Sequence, residues 1–194
     1  TLFLIIPVVL LLISQPDIGQ TILIVFTWLA LVFISGINLF LFFGLFGFFV
    51  SILLYLIFFI ERFNYIKIRI SSFLDISSNN YSQAEKASEA IIDGGFFGKG
   101  IGEGTLNSRI PEAHTDFIIS VISEEFGIII ILLIMLAFIL FAYNIFKKIR
   151  ETNENVFKMI LTGLISLLLM QTFVHVGVNL RVLPTTGMTL PYLS

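Results

Sequence analysis

The chain has 194 residues, of which 57% are hydrophobic and 12% charged, with 22 phenylalanines and a formal net charge of −2; its mean hydropathy is +1.03. Soluble domains sit nearer about 45–50% apolar and about 25% charged. The composition therefore excludes a soluble globular domain and describes an all-α, polytopic transmembrane helix bundle, while the small net charge offers nothing to nucleic acid. Cysteine is absent, which excludes disulfides and thiolate metal sites.

A spanning helix needs about 20 mostly apolar residues, and hydropathy predicts about five helical segments: 2–13, 18–34, 39–60, 117–146 and 156–180. The first is short. "SQPDIGQ" (14–20) places Pro-Asp and then Gly between the first two, and "SGIN" (35–38) turns the second into the third. Apolar sequence stands at both ends, so the chain is read as a fragment of a longer protein.

Residues 61–116 form a long polar connection. Within it, "SQAEKASEAIIDGG" (82–95) predicts an amphipathic helix with Ala84, Ala87, Ile91 and Ile92 on its apolar face and Gly94 as its stop. Such a helix is suited to the membrane surface. "GGFFGKGIGEGT" (94–105) follows. It fails the P-loop spacing, because Gly98-Lys99 is followed by Gly100, and no strand precedes it as a dinucleotide loop requires. Two readings stay open: a sharply turning loop, or a cradle for an anionic head group with Lys99 contributing.

"PEAHTDFIISVISEEFG" (111–127) carries charge into the fourth apolar run. With Asp116 opening that helix, Ser120 and Ser123 fall on its face, Glu124 lies about 80° round the axis and Glu125 opposite. Charge inside a membrane is costly, so this stripe is expected to face other helices or a watery cavity. Asp116 is either a helix N-terminal charge or a reactive carboxylate. Glu124 and Glu125 are either structural partners or chemical groups. His114 has no second histidine at helical ligand spacing, which argues against a metal site.

"KKIRETNENVFK" (147–158) carries Lys147, Lys148, Arg150 and Lys158. The positive-inside rule places this short loop in the cytoplasm and 61–116 outside, although Arg62, Lys67 and Arg69 narrow the contrast. In the fifth segment Gln171, His175 and Asn179 share one face by i, i+4 spacing. "LPTTGMTLPYLS" (183–194) predicts a non-helical or re-entrant stretch.

The motifs "QPDIGQT" (15–21), "RISSFLD" (69–75), "GGFFGKGIGEGT" (94–105), "PEAHTDFIISVISEEFG" (111–127) and "VLPTTGMTLPYLS" (182–194) occur in this order. Together they resemble the SEDS family (shape, elongation, division and sporulation), most closely its division branch. The resemblance covers nearly the whole chain. It departs at Ser82 between Tyr81 and Gln83, at Ile76 after Asp75, at Thr186 where lysine is usual, and at His175 where asparagine is common. The resemblance implies the latter part of a ten-span fold in the bacterial inner membrane, with 61–116 a large extracytoplasmic loop. It also implies peptidoglycan glycosyltransferase activity that polymerises lipid II, an undecaprenyl-diphosphate-linked disaccharide peptide. Lipid II flipping and proton-coupled transport are the alternatives. Asp116 would then be the catalytic base. Substrate-binding candidates are Arg69, Gln83, Lys86, Lys99, Arg109, Glu112, His114, Thr115, Glu124, Glu125 and Arg181. No cofactor is fixed, although a divalent cation, Mg²⁺ or Mn²⁺, is one way to stabilise the leaving diphosphate. The implied partners are a class B penicillin-binding transpeptidase and other division proteins.

Overall fold

The computed structural model describes residues 2–15, 17–74, 83–110 and 113–193, and among them the regular structure is helical. Pro16, Asp75, Ile76, Tyr81, Ser82 and Glu112, all singled out from the sequence, lie outside the described residues. Helices α1 (Leu2–Ser14), α2 (Ile18–Ile34) and α3 (Leu39–Phe59) fall where the apolar runs place them. Asp17 caps α2 by accepting from the Gln20 amide at 3.0 Å, and Asn38 caps α3 through Phe40 N at 3.0 Å. The aspartate of "QPDIGQT" thus has a structural task. By length and composition three described helices suffice to cross a membrane, at 39–59, 128–151 and 155–179, while α1 and α2 are shorter apolar helices.

Two compact units emerge: 1–70 with 145–170, and 71–144 with 171–194. In the first, Ile5, Val25, Trp28 and Leu29 form the core, and Trp28 meets Phe49 edge-on at 5.7 Å. Not one residue of α3 is buried, as suits an apolar helix open to lipid. The polar connection opens with helix α4 (Asn64–Leu74), not predicted from the sequence. Its Lys67 donates to Phe58 O at 2.9 Å, so a basic side chain closes the end of α3.

In the second unit, α5 (Gln83–Gly94) is the predicted amphipathic helix, with Ala84 and Ala87 on its inner face as expected and Ala90 and Gly94 there in place of the isoleucines. Ala84, Ala87, Ala90 and Gly94 are buried, whereas Ile91 is only half-buried and Ile92 is 75% exposed. The inner face packs against protein, on α8 (Ile118–Phe126). Small residues let the two backbones approach closely. Between them lie two single turns, α6 (Leu106–Arg109) and α7 (Ala113–Asp116).

The predicted single helix over 117–146 is broken. α7 ends at Asp116, Phe117 intervenes, and α8 stops at Gly127 before α9 (Ile128–Glu151) begins. Gly127 has φ 84° and ψ 170°, a region essentially confined to glycine. A Cβ there would also collide with the Phe96 carbonyl. Gly127→Ala is expected to lower stability by about 1–3 kcal/mol, read as a drop in the thermal unfolding temperature of the full-length protein in detergent.

α9 runs on through Lys147, Lys148 and Arg150, so its connection to α10 (Asn155–Asn179) shrinks to 152–154. Beyond α10, residues 182–190 are non-helical, as predicted. The helix closes with Arg181 at φ 56°, an uncommon left-handed conformation for a side chain with a Cβ. Leu183 N then donates back to Gly177 O at 3.0 Å.

Candidate functional site

The three polar residues on one face of α10 organise the second unit. Gln171 Nε2 donates to Thr189 O at 2.9 Å. His175 Nδ1 lies 2.8 Å from Met188 O; a carbonyl only accepts, so this nitrogen carries the proton. Both bonds tie the extended terminal segment to the helix. Asn179, fully buried, bridges the other way. Its Nδ2 donates to Asp116 O at 3.2 Å and to His175 O at 2.8 Å, and its Oδ1 accepts from Ser120 Oγ at 2.7 Å. The predicted shared face is present, and it faces protein backbone.

Asp116 is thereby fixed at the joint between α7 and α8. Its backbone is held from α10, while its side chain is half-buried. The terminal segment comes close on the other side: a Cβ built on Gly187 would stand 3.7 Å from Asp116 Oδ2. The main chain of Asp116 is thus positioned from α10, and its carboxylate lies beside the Gly187 backbone. Asn179→Ala is expected to cost about 1–3 kcal/mol by stranding the Ser120 hydroxyl and the Asp116 carbonyl. Hydrogen exchange should then rise across 113–121 while α9 keeps its protection.

Glu124, 2% exposed, belongs to a different arrangement. Its carboxylate accepts from Thr105 N and Leu106 N, each at 2.9 Å, and from Thr105 Oγ1 and Lys99 Nζ, each at 3.1 Å. Burial alone would push this carboxyl's pKa up; the two amides, the ammonium and the hydroxyl outweigh it and hold the pKa below the ordinary carboxylate value. Lys99 answers in the opposite sense. Its bond to Glu124 raises its pKa against a smaller opposing effect of burial, with Asp93 adding a second pairing at 3.3 Å.

The glycine-rich stretch accordingly turns its backbone toward α8. Lys99 N donates to Glu124 O at 2.8 Å and Gly100 N to Glu125 O at 3.1 Å, satisfying carbonyls that the end of α8 would leave open. Gly102 N reaches Glu125 Oε1 at 3.3 Å. A Cβ at Gly98 would run into the Glu125 carbonyl. Of the two sequence readings, the geometry matches the sharply turning loop. Glu124 and Glu125 precede α9, so they stand on a separate short helix before the one long enough to span and not within one continuous helix.

The remaining candidates are spread out. Arg69 belongs to the first unit, over the Tyr65 ring at 5.4 Å. Arg181 pairs with Glu85 of α5 at 2.6 Å. Gln83, Arg109, His114 and Thr115 are exposed and Lys86 is half-buried; Glu112 lies outside the described residues. Sequence reading missed Glu85, Asp93, Thr105 and Gly187. The first two resemble ordinary solvated helix charges; Thr105 acts through both its amide and its hydroxyl, and Gly187 through backbone position. Among the described residues no three His, Asp or Glu side chains converge as metal ligands.

Residues 1–194 match the family model for FtsW, RodA and SpoVE, described as a cell cycle protein. Similar proteins include one from Caulobacter vibrioides described as a probable peptidoglycan glycosyltransferase FtsW, 36% identical over 186 residues, covering 96% of this chain and 47% of that one. Proteins of the same description from Legionella pneumophila and Francisella salina are 34% and 37% identical, covering 95% and 96% of this chain and 48% of each relative. The chain spans about half the length of the curated relatives it matches. It also superimposes on a chain from a solved structure concerned with coordination of polymerization and crosslinking by a peptidoglycan synthase complex. The TM-score is 0.74 at 28% identity, covering 97% of this chain and 52% of that one.

Proposed function

The chain belongs to the FtsW/RodA/SpoVE family of cell cycle proteins, the SEDS family its motifs resemble, and on that premise we propose that it forms the catalytic part of a peptidoglycan glycosyltransferase that polymerises lipid II at the outer face of the bacterial inner membrane. The observation that carries this reading is Asp116: a half-buried carboxylate at a helix joint, its main chain fixed by Asn179 and its side chain next to Gly187. The charge contrast between 147–158 and the rest supports an outward-facing loop.

In the proposed reaction the 4-hydroxyl of one saccharide attacks the anomeric carbon of another. A new C–O bond forms there, the bond to the polyprenyl diphosphate breaks, and the hydroxyl proton passes to the Asp116 carboxylate. Proton removal in step with attack is typically worth 10²- to 10⁴-fold, so roughly 3–5 kcal/mol. One base and one direct displacement imply inversion at the anomeric carbon. The diphosphate leaves as a weak base and needs its charge stabilised more than it needs a proton.

The pairing of the basic candidates bears on that task. Lys99 and Arg181 are committed to carboxylates. Lys86 and Arg109 engage no partner among the described residues, and Arg109 sits on α6, which packs on α7. They are the preferred diphosphate contacts. A divalent cation at this point would share its ligands between protein and phosphate oxygens. The partners proposed for the whole protein are a class B penicillin-binding transpeptidase and other division proteins. The test is polymer formation from labelled lipid II by the purified full-length protein with its transpeptidase. Lipid II crossing liposome membranes without any polymer would favour the flippase instead.

A further inference from the structure

The glycine-rich loop leaves one feature unused by this chemistry. Four large apolar side chains stand in the open within ten residues: Ile92 at 75% exposed, Phe96 at 72%, Phe97 at 84% and Ile101 at 80%. Their backbone is pinned to the joint between α8 and α9. Ile128 N, the first residue of α9, donates to Gly95 O at 3.0 Å, and the Phe96 carbonyl abuts Gly127 so closely that a Cβ would not fit.

The length and composition of α9 set where that joint falls relative to a bilayer. From Ile128 the apolar part of α9 continues to Phe146, and Lys147 and Lys148 follow. These 19 positions cover about 28 Å at about 1.5 Å per residue, close to the roughly 30 Å hydrocarbon thickness. With the lysines in one headgroup layer, Ile128 lies at the opposite hydrocarbon boundary. Along α9 itself Ile129, Leu132, Leu133 and Leu136 are exposed, as lipid-facing residues of a span are.

We infer that the Phe96-Phe97 tip, with Ile92 and Ile101 beside it, inserts into the outer leaflet of the bilayer. The occupant of this patch is membrane lipid, because its backbone is pinned to the first residues of α9, at the level where the exposed apolar surface of that helix begins. Aromatic and apolar side chains at such a boundary bury their surface among acyl chains while the backbone stays at the headgroups. Gly98, Lys99, Gly100 and Gly102 bond their amides to α5 and α8, which holds the tip's own backbone at headgroup level, where water and headgroups satisfy it. The loop is thereby held at a fixed height, and Glu124, bonded to the same loop, ties that height to α8.

The test uses the full-length protein with a single cysteine at position 97, labelled with an environment-sensitive fluorophore and reconstituted without any partner protein into phosphatidylglycerol/phosphatidylethanolamine vesicles. Emission from position 97 should be blue-shifted, quenched by nitroxide-labelled lipids, and several-fold less open to aqueous iodide than the same label at the exposed polar Glu89. A label at Ile101 gives the same reading should substitution at 97 prevent folding. Equal access of iodide to 97 and 89 would overturn the inference. So would shielding that develops only when the transpeptidase is added, which would assign the patch to a protein partner. The measurement reads position and not polymerisation, so its failure leaves the glycosyltransferase reading standing.

Discussion

Asp116→Asn in the full-length protein is expected to reduce polymer formation from lipid II by about 10²- to 10⁴-fold, the range a positioned general base contributes. The substitution keeps the side chain's shape and removes its charge and its capacity to take a proton. The bond from Asn179 Nδ2 to the backbone carbonyl of residue 116 is one both proteins possess. An unfolding temperature close to that of the wild type assigns the loss of polymer to chemistry and not to folding. Asp116→Glu is the sharper control. It keeps the charge but lengthens the side chain by one methylene beside Gly187, where a single added carbon would already stand 3.7 Å from Oδ2. A displaced base loses most of its advantage, because attack geometry tolerates only small errors, so the Glu variant should also be strongly impaired. Polymer length and yield on a gel, with unfolding temperature measured in parallel, decide the matter. Wild-type polymerisation by the Asn variant would remove Asp116 from the role of base.

Helices α1, α2, α3 and α10 were legible because an apolar run bounded by Asp17, Asn38 or a proline-rich stretch leaves few other conformations. The polar face of α10 was legible too, since i, i+4 spacing is a property of the helix alone. What that face holds was not. The acceptors for His175 and Asn179 include backbone carbonyls 13 and 63 residues away, and hydropathy carries no trace of them. The break at Gly127 was hidden for a related reason. One glycine inside an apolar run costs little by propensity, and only the approach of the Phe96 carbonyl makes it obligatory.

The same logic accounts for α5. Hydrophobic spacing selects Ala84, Ala87, Ile91 and Ile92 as its inner face; close backbone packing on α8 keeps the two alanines and takes Ala90 and Gly94 in place of the isoleucines. Placing Glu124 and Glu125 within a continuous span followed from missing the break. With α8 and α9 separate, Glu124 faces protein, the first of the two surroundings expected of that stripe. Asp116 itself stood out by its motif; composition and spacing alone left a helix-terminal charge equally open.

Glu124→Ala is expected to unravel the segment around 98–110 while α9 persists. The side chain satisfies the buried ends of two loop amides, Thr105 N and Leu106 N, as well as the Thr105 hydroxyl and the Lys99 ammonium. Stranding a buried donor costs about 1–3 kcal/mol each, so the loss should be several kcal/mol. Protease sensitivity should appear near Lys99 and Arg109. Glu124→Gln keeps the volume but offers one acceptor oxygen where the carboxylate has two, and sets an NH2 against a donor; its effect should be intermediate. The pH dependence has a definite sign. Folding holds the Glu124 pKa below its ordinary value of 4.5, so the stabilisation is complete above pH 4.5 and fades as pH falls through the lower folded value. Lys99 is raised above 10.5, so its share is complete below that pH and fades as pH rises through the higher folded value. Wild-type stability should therefore contain a component that is flat between these limits and declines outside them. The acid-side decline should vanish in Glu124→Gln. A different result separates structure from chemistry: were Glu124 a substrate contact or a proton-carrying site, the Gln variant would lose polymerisation or transport at unchanged stability. The four donors converging on one buried carboxylate predict the reverse order, with stability lost first and activity falling only as the loop does.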